Sequence, residues 1–183
     1  MWMMRGQHRW FSARDVEFEP EETVVATWNE LAIARPLLIE RARALFLIEQ
    51  PDAPGPAGLG YLATVRADGG PRVHPISPAV LDGHLYAFIL RKTPKAADLL
   101  RDHRFALHSW PLPFTDEGFD DEEIHLVGRA IPVADPALIA RVGVAVGDDP
   151  TGGVIFELDL VTAMHKHRRG GLTYDVWRAR DRH

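Results

Sequence analysis

The stretch LGYLATVRADGGPRVHPISPAVLDGHLYAFIL, residues 59–90, decides the fold. LGYLATVR (59–66) and PRVHPISPAV (71–80) flank the turn ADGG, and HLYAFIL (84–90) follows a second turn, LDG. Short β-rich runs separated by Asp-Gly turns predict antiparallel strands joined as a meander. Pro75 and Pro78 lie inside the second run. Proline has no N–H to give to a ladder, so this strand is expected at a sheet edge or at a bulge. A bulged strand with free backbone groups suits a flat polar ligand.

The chain then runs into RKTPKAADLL, 91–100. Thr93 is placed to cap a helix whose first residue is Pro94. Unpaired N–H groups and the helix dipole make such an N-terminus attractive to anions. Arg91, Lys92 and Lys95 stand at the end where cations are normally unfavourable. A bound phosphate reverses that balance. The alternative is that Thr93 is only a cap and the three cations are solvated.

Further strands are expected at RFALHSWP (104–111), EEIHLVGRAIPV (122–133), VIFELDLVTAMHKH (154–167) and LTYDVWRAR (172–180). DPALIARVGVAV, 135–146, begins like a capped helix, with Asp135 before Pro136. Residues 21–49 carry Trp28, Leu31, Ala32, Arg35, Leu38 and Ile39 at helical spacing, and Pro36 is expected to divide them into two helices. PDAPGPAG, 51–58, reads as a loop. Seven short strands with peripheral helices predict a mainly β, α+β protein built on an antiparallel barrel. Residues 1–19 read as a loosely ordered extension and residues 20–183 as a single domain.

Composition narrows the function. The 183 residues contain no cysteine, which removes disulfides, thiolate catalysis and cysteine metal sites and is compatible with a reducing cytoplasm. No apolar run is long enough to span a membrane, and the start has no signal-peptide core. DEGFDDEE, 116–123, holds six of the 26 acids behind the net charge of -5. The body of the chain is therefore near neutral, which argues against a nucleic-acid binder. The acidic run reads as a solvated loop, and its spacing matches no calcium loop.

The block 62–110 resembles the flavin-binding split-barrel family of pyridoxamine-phosphate oxidase. The likeness rests on the Asp-Gly turn, then R-V-H-P-I, then DGHLYAFI, then T-P-K, a short helix and the strand HRFAL. EEIHLVGRAIPV and VIFELDLVTA resemble later strands of the family, so the likeness covers roughly residues 24–180. It implies FMN in a groove between the two subunits of a homodimer. It further implies that Arg91, Lys92, Thr93 and Lys95 hold the FMN phosphate, with Arg72 a further candidate. The strand from Val73 through His74 and Ile76 to Ser77 then meets the ring edge with its backbone. Trp177 and Arg178 stand where the oxidase's substrate motif is expected, but the extended pattern for pyridoxamine phosphate is missing.

Two other readings share the fold. One is a reductase using a deazaflavin coenzyme, whose polyanionic tail the basic run HKHRR, 165–169, could hold. The other is a non-catalytic flavin or haem binding module; haem requires an accessible axial ligand such as histidine. His165 and His167 alternate on one strand, but no third ligand stands at a recognisable spacing, so no metal site is expected. His74 is read equally as facing the ring or packing in the barrel. For His108, Trp110 and His125, core packing is the default. The expectation is thus a cytoplasmic FMN flavoprotein, an oxidoreductase acting on a small-molecule substrate or electron acceptor. No side chain stands out as catalytic.

Overall fold

The computed structural model describes residues 23–47, 58–109, 122–147, 149–167 and 172–181. The N-terminal extension, most of the 51–58 loop, Trp110 and residues 116–121 of the acidic run lie outside them.

Two helices come first, α1 (Trp28–Ala34) and α2 (Pro36–Phe46), divided as expected at Pro36. The start of α1 is fixed by a capping box. Thr27 Oγ1 accepts from the Glu30 N–H, and Glu30 Oε2 accepts from the Thr27 N–H at 2.7 Å. The order then runs β1 (Gly60–Val65), β2 (Pro71–Ile76), β3 (Pro78–Leu81), β4 (His84–Leu90), α3 (Pro94–Arg101), β5 (Arg104–Ser109) and β6 (Glu123–Pro132). It closes with α4 (Pro136–Val146), β7 (Gly153–His167) and β8 (Thr173–Arg178).

The 71–80 run is not one strand. Ser77 separates β2 from β3, which makes eight strands among the described residues rather than seven. The meander is replaced by two hairpins, β1–β2 and β3–β4. Asp82 and Gly83 both adopt positive φ, the conformation required by the two-residue turn between Leu81 and His84. All pairings are antiparallel, in the order β2-β1-β5-β6-β7-β4-β3, with β8 on β7. The two edge strands are therefore consecutive in the chain. A single residue joins them, so the sheet must curl until its edges meet. Prolines 71, 75 and 78 all fall on these edges, where a missing N–H costs least.

The residues facing into the curl form the core. Leu62, Leu107, Ile124, Leu126 and Phe156 pack with Trp28, Leu31, Leu38 and Phe46 from the first two helices and Leu99 from α3. Most of this cluster is fully removed from water, at about 25 cal/mol per Å² of apolar surface. A second, smaller cluster lies on the outside. There Val142 of α4 packs over Tyr86 and Ile155, with Leu138 and Ile139 at its border. The Asp135 carboxylate accepts from the Ala137 N–H and caps α4 as expected.

Between Val127 and Gly128 the β6–β7 register slips at a bulge. Gly128 touches the opposite strand so closely that a Cβ would stand 1.8 Å from the Asp159 carbonyl oxygen. On the outer face beside it, Asp159 lies near Glu157, whose Oε1 is 2.5 Å from His84 Nδ1. Burial, then the Glu157 charge, pushes the Asp159 carboxyl up to about 6. The Gly128→Ala variant should lose about 2–3 kcal/mol of stability, because the contact is with backbone and cannot be relieved by a rotamer change. Urea denaturation reads this directly, and an unchanged midpoint would show that the bulge is soft. Asp159 contributes a pH signature of its own. Its folded value lies above the ordinary 3.8, so ionisation penalises the native state as pH rises through about 6. Asp159→Asn should melt close to wild type near pH 4 and above it at pH 8; a constant difference across that window would refute the assignment.

Candidate functional site

A pocket of about 280 Å³ opens where the two edges of the sheet meet. Pro75, Ile76 and Ser77 form one wall at the end of β2. Phe88, Ile89 and Leu90 form another at the end of β4. Thr93 and Lys95 close it from the start of α3, and Val146 from the end of α4. The volume lies just below the range of about 300–1,000 Å³ typical of whole small-molecule sites. It can seat one end of a larger ligand.

Lys95 is the cation of this pocket. Its Nζ donates to the Pro75 carbonyl at 3.2 Å, tying the start of α3 to edge strand β2. Burial holds the ammonium below its ordinary pKa. Among the described residues no carboxylate pairs with Lys95, Arg91 or Lys92. Arg91 donates from its side chain to the Gly153 carbonyl at 3.4 Å, and Lys92 is exposed. Neither lines the pocket.

Thr93 occupies the N-cap position in an extended conformation, but its side chain makes no cap bond. The hydroxyl donates instead to the Leu90 carbonyl at 2.7 Å. This corrects the expectation of a side-chain cap. The reason is local: the side chain turned back to the end of β4 leaves its oxygen out of reach of the free N–H groups of α3. The cap carbonyl still accepts from Ala96 and Ala97 at 3.1 and 3.3 Å.

Beneath α3 lies a polar cluster centred on Asp98. This carboxylate is 4% exposed, accepts from Arg72 Nε at 2.7 Å and from Thr64 Oγ1 at 3.0 Å, and has Arg101 at 3.5 Å. Burial alone would raise its pKa. The hydrogen bonds from Arg72 and Thr64 overcome that and lower it, so Asp98 stays ionised. Arg72 and Thr64 thus hold α3 onto β2 and β1. His74 lies on the same inner face. Its Nε2 is buried without a hydrogen-bond partner, and burial, then Lys95 and Arg72, lowers its pKa. It is a neutral group beside two cations.

The structure therefore brings Ile76, Ser77, Thr93 and Lys95 into one pocket, with Arg72 and His74 behind it. Val73 points away, 59% exposed on the outer face. Phe88, Leu90 and Val146 are lining residues that sequence reading missed. Val146 has no local signal, since α4 reaches the pocket only through packing on β3 and β4.

Other sequence candidates fall elsewhere. Glu122 is not part of a solvated loop. It is buried, and it takes a two-pronged hydrogen bond from Arg41 and one contact of 2.7 Å with His165 Nε2. Trp177 packs into the core, while Arg178 is exposed. His108 and His125 are not core residues. They face each other across β5 and β6 on the outer side of the sheet, with ring centroids 4.0 Å apart.

Comparison with proteins of curated function gives no match. Several solved structures share the fold. A haem-binding protein from Mycobacterium smegmatis superposes with a TM-score of 0.55 at 15% identity, over 73% of this chain and 60% of its own. A putative 5-nitroimidazole antibiotic resistance protein from Bacteroides thetaiotaomicron gives 0.50 at 13% identity, over 65% and 81%. A structure described as an F420 reductase gives 0.46 at 19% identity, over 66% and 94%. At these identities the likeness is one of fold. At the level of sequence, the family model of pyridoxamine 5'-phosphate oxidase matches residues 55–167, over half of the chain, and the protein belongs to that family.

Proposed function

We propose that the protein is an FMN-binding flavoprotein, a cytoplasmic homodimer that passes hydride or electrons between the flavin and a small organic molecule. The observation that carries this reading is Lys95. A partly buried ammonium without a carboxylate partner among the described residues stands at the first turn of α3, facing a pocket bounded by a free strand edge. An anionic group fits that environment. It would neutralise the cation and meet the helix N-terminus together.

The residues present fit the phosphate end of FMN. Lys95 would hold the phosphate, with Arg91 and Lys92 adding charge from the rim. Thr93 can donate to it only by turning its hydroxyl away from Leu90. The β2 backbone from Val73 to Ser77 would meet the ring along its unpaired edge, with the Ile76 side chain anchoring the strand to the core. Arg72 and His74 would act behind the site, keeping α3 and β2 at a fixed separation. When bound, FMN supplies the redox chemistry. No side chain is assigned as acid or base, so the substrate is left at the level of a small organic acceptor. The deazaflavin reading depends on the basic run at 165–169. Of that run, His165 and Lys166 already engage Glu122 and Glu123, which favours FMN. Among the described residues no helix is long and apolar enough to cross a membrane.

The dimer has its own support on the outer face. Val73, Ala63, Ala106 and Val127 are directly opposed across β2, β1, β5 and β6 and form an apolar row. Val73 and Val127 are exposed in the single chain, at 59% and 43%. A second copy covering this row would bury it. Light scattering should give twice 20.5 kDa; a monomeric mass with flavin bound would refute the pairing.

Lys95→Ala tests the site. A charge-assisted hydrogen bond contributes about 1.5–3 kcal/mol, so FMN affinity should fall about 10- to 100-fold. Riboflavin, which has the same ring and no phosphate, should bind the variant as it binds wild type. Flavin fluorescence titration measures both. Equal losses for the two ligands would move the phosphate elsewhere, and no loss for either would make Lys95 a tether for Pro75 alone.

A further inference from the structure

His108, Glu123 and His125 come together on the outer face of the sheet, at the β5–β6 boundary. His108 Nε2 lies 3.3 Å from Glu123 Oε2, and His125 Nε2 lies 3.6 Å from Glu123 Oε1. One ligand atom from each of the three falls within 4.8 Å of the others. In a tetrahedral zinc site, with bonds of about 2.0–2.1 Å, neighbouring ligand atoms stand about 3.3 Å apart. Each histidine stands near that spacing from one Glu123 oxygen before any ion enters.

Hydrogen bonding sets the chemistry of each group. His108 Nδ1 is 2.6 Å from the Ser109 carbonyl, which can only accept. Nδ1 therefore carries the proton, and Nε2 is the nitrogen turned toward Glu123. His125 Nε2 is buried and has no hydrogen-bond partner. Lys166 Nζ stands 3.1 Å from Glu123 Oε1 and orients the carboxylate. Lys166 thus occupies one carboxylate oxygen and leaves Oε2 facing His108. A histidine whose other nitrogen donates to a backbone carbonyl, and a carboxylate oriented by a neighbour, are the outer supports that metal sites use.

We infer that His108, Glu123 and His125 form a binding site for a divalent transition metal of the zinc class, with a coordination position open to solvent. Two imidazoles and one carboxylate suit Zn²⁺ or Co²⁺ rather than Mg²⁺ or Ca²⁺, which prefer oxygen-only shells. The three side chains are partly exposed, at 35%, 26% and 38% in that order, so an ion can enter from solution. None of them lines the pocket at Lys95, and the inference does not depend on flavin binding.

Full-length protein, stripped with a chelator and titrated with ZnCl₂, tests it. Wild type should take up one Zn²⁺ per chain and gain thermal stability with added metal. His108→Ala, His125→Ala and the shape-conserving Glu123→Gln should each weaken uptake by about 100-fold or more, since even outer partners of metal sites contribute 10- to 100-fold. Each variant should melt without a zinc-dependent shift. His84→Ala, distant on β4, should bind as wild type. Co²⁺ gives a second arm that needs no variant: strong visible absorption marks a low-coordinate protein site, whereas the weak spectrum of the hydrated ion overturns the inference. Zinc uptake that survives loss of both histidines, or no uptake by wild type, overturns it as well.

Discussion

A proline cannot give a hydrogen bond to a β-ladder, and this chain places three of them between residues 71 and 78. That constraint organises the molecule. A strand containing Pro75 and Pro78 cannot be flanked on both sides without losing bonds. The chain resolves this by breaking at Ser77 and sending its two halves to opposite edges of one sheet. Because one residue links those edges, the sheet curls and its inner face closes over a single core. The gap where the edges meet becomes the pocket, and the free edge of β2 becomes one of its walls.

The buried carboxylate of Asp98 completes the arrangement. An uncompensated charge at 4% exposure would be costly, yet Arg72 and Thr64 satisfy it from β2 and β1. The helix carrying Asp98 also carries Lys95. Registering one residue against two strands therefore sets where the other can reach. Structural and pocket-facing charges are separated by one helical turn: the first is neutralised within the fold, and among the described residues the second has no carboxylate partner.

Much of the architecture was legible in the sequence because its signals are local. Pro36 divides α1 from α2, Asp135 and Pro136 start α4, and Asp82-Gly83 makes a tight turn. The Thr27–Glu30 capping box is an equally local signal. The break at Ser77 was only half legible: Pro75 and Pro78 mark an edge or a bulge, but only the pairing partners show that the run divides there. The approach of Thr93, Ser77 and Lys95 followed from family likeness and from the strand-to-helix junction. Other features depend on cross-strand register. Glu122 reads in sequence as part of an acidic loop, and only its pairing with Arg41, 81 residues away, sets it apart. His108 and His125 looked like core residues because alternation shows which residues share a face, not which face is inside.

The edge prolines also bear on how the molecule behaves among its neighbours. An open sheet edge is a template on which another chain can add a strand, and repetition of that step leads to aggregates. Here β2 presents Pro71 and Pro75 along its margin, and β3 begins at Pro78, whose carbonyl is already taken by the Gly58 N–H at 2.8 Å. A foreign strand would meet gaps in the donor row and an occupied acceptor. The residues that end the ladder within one molecule also keep it from continuing into the next.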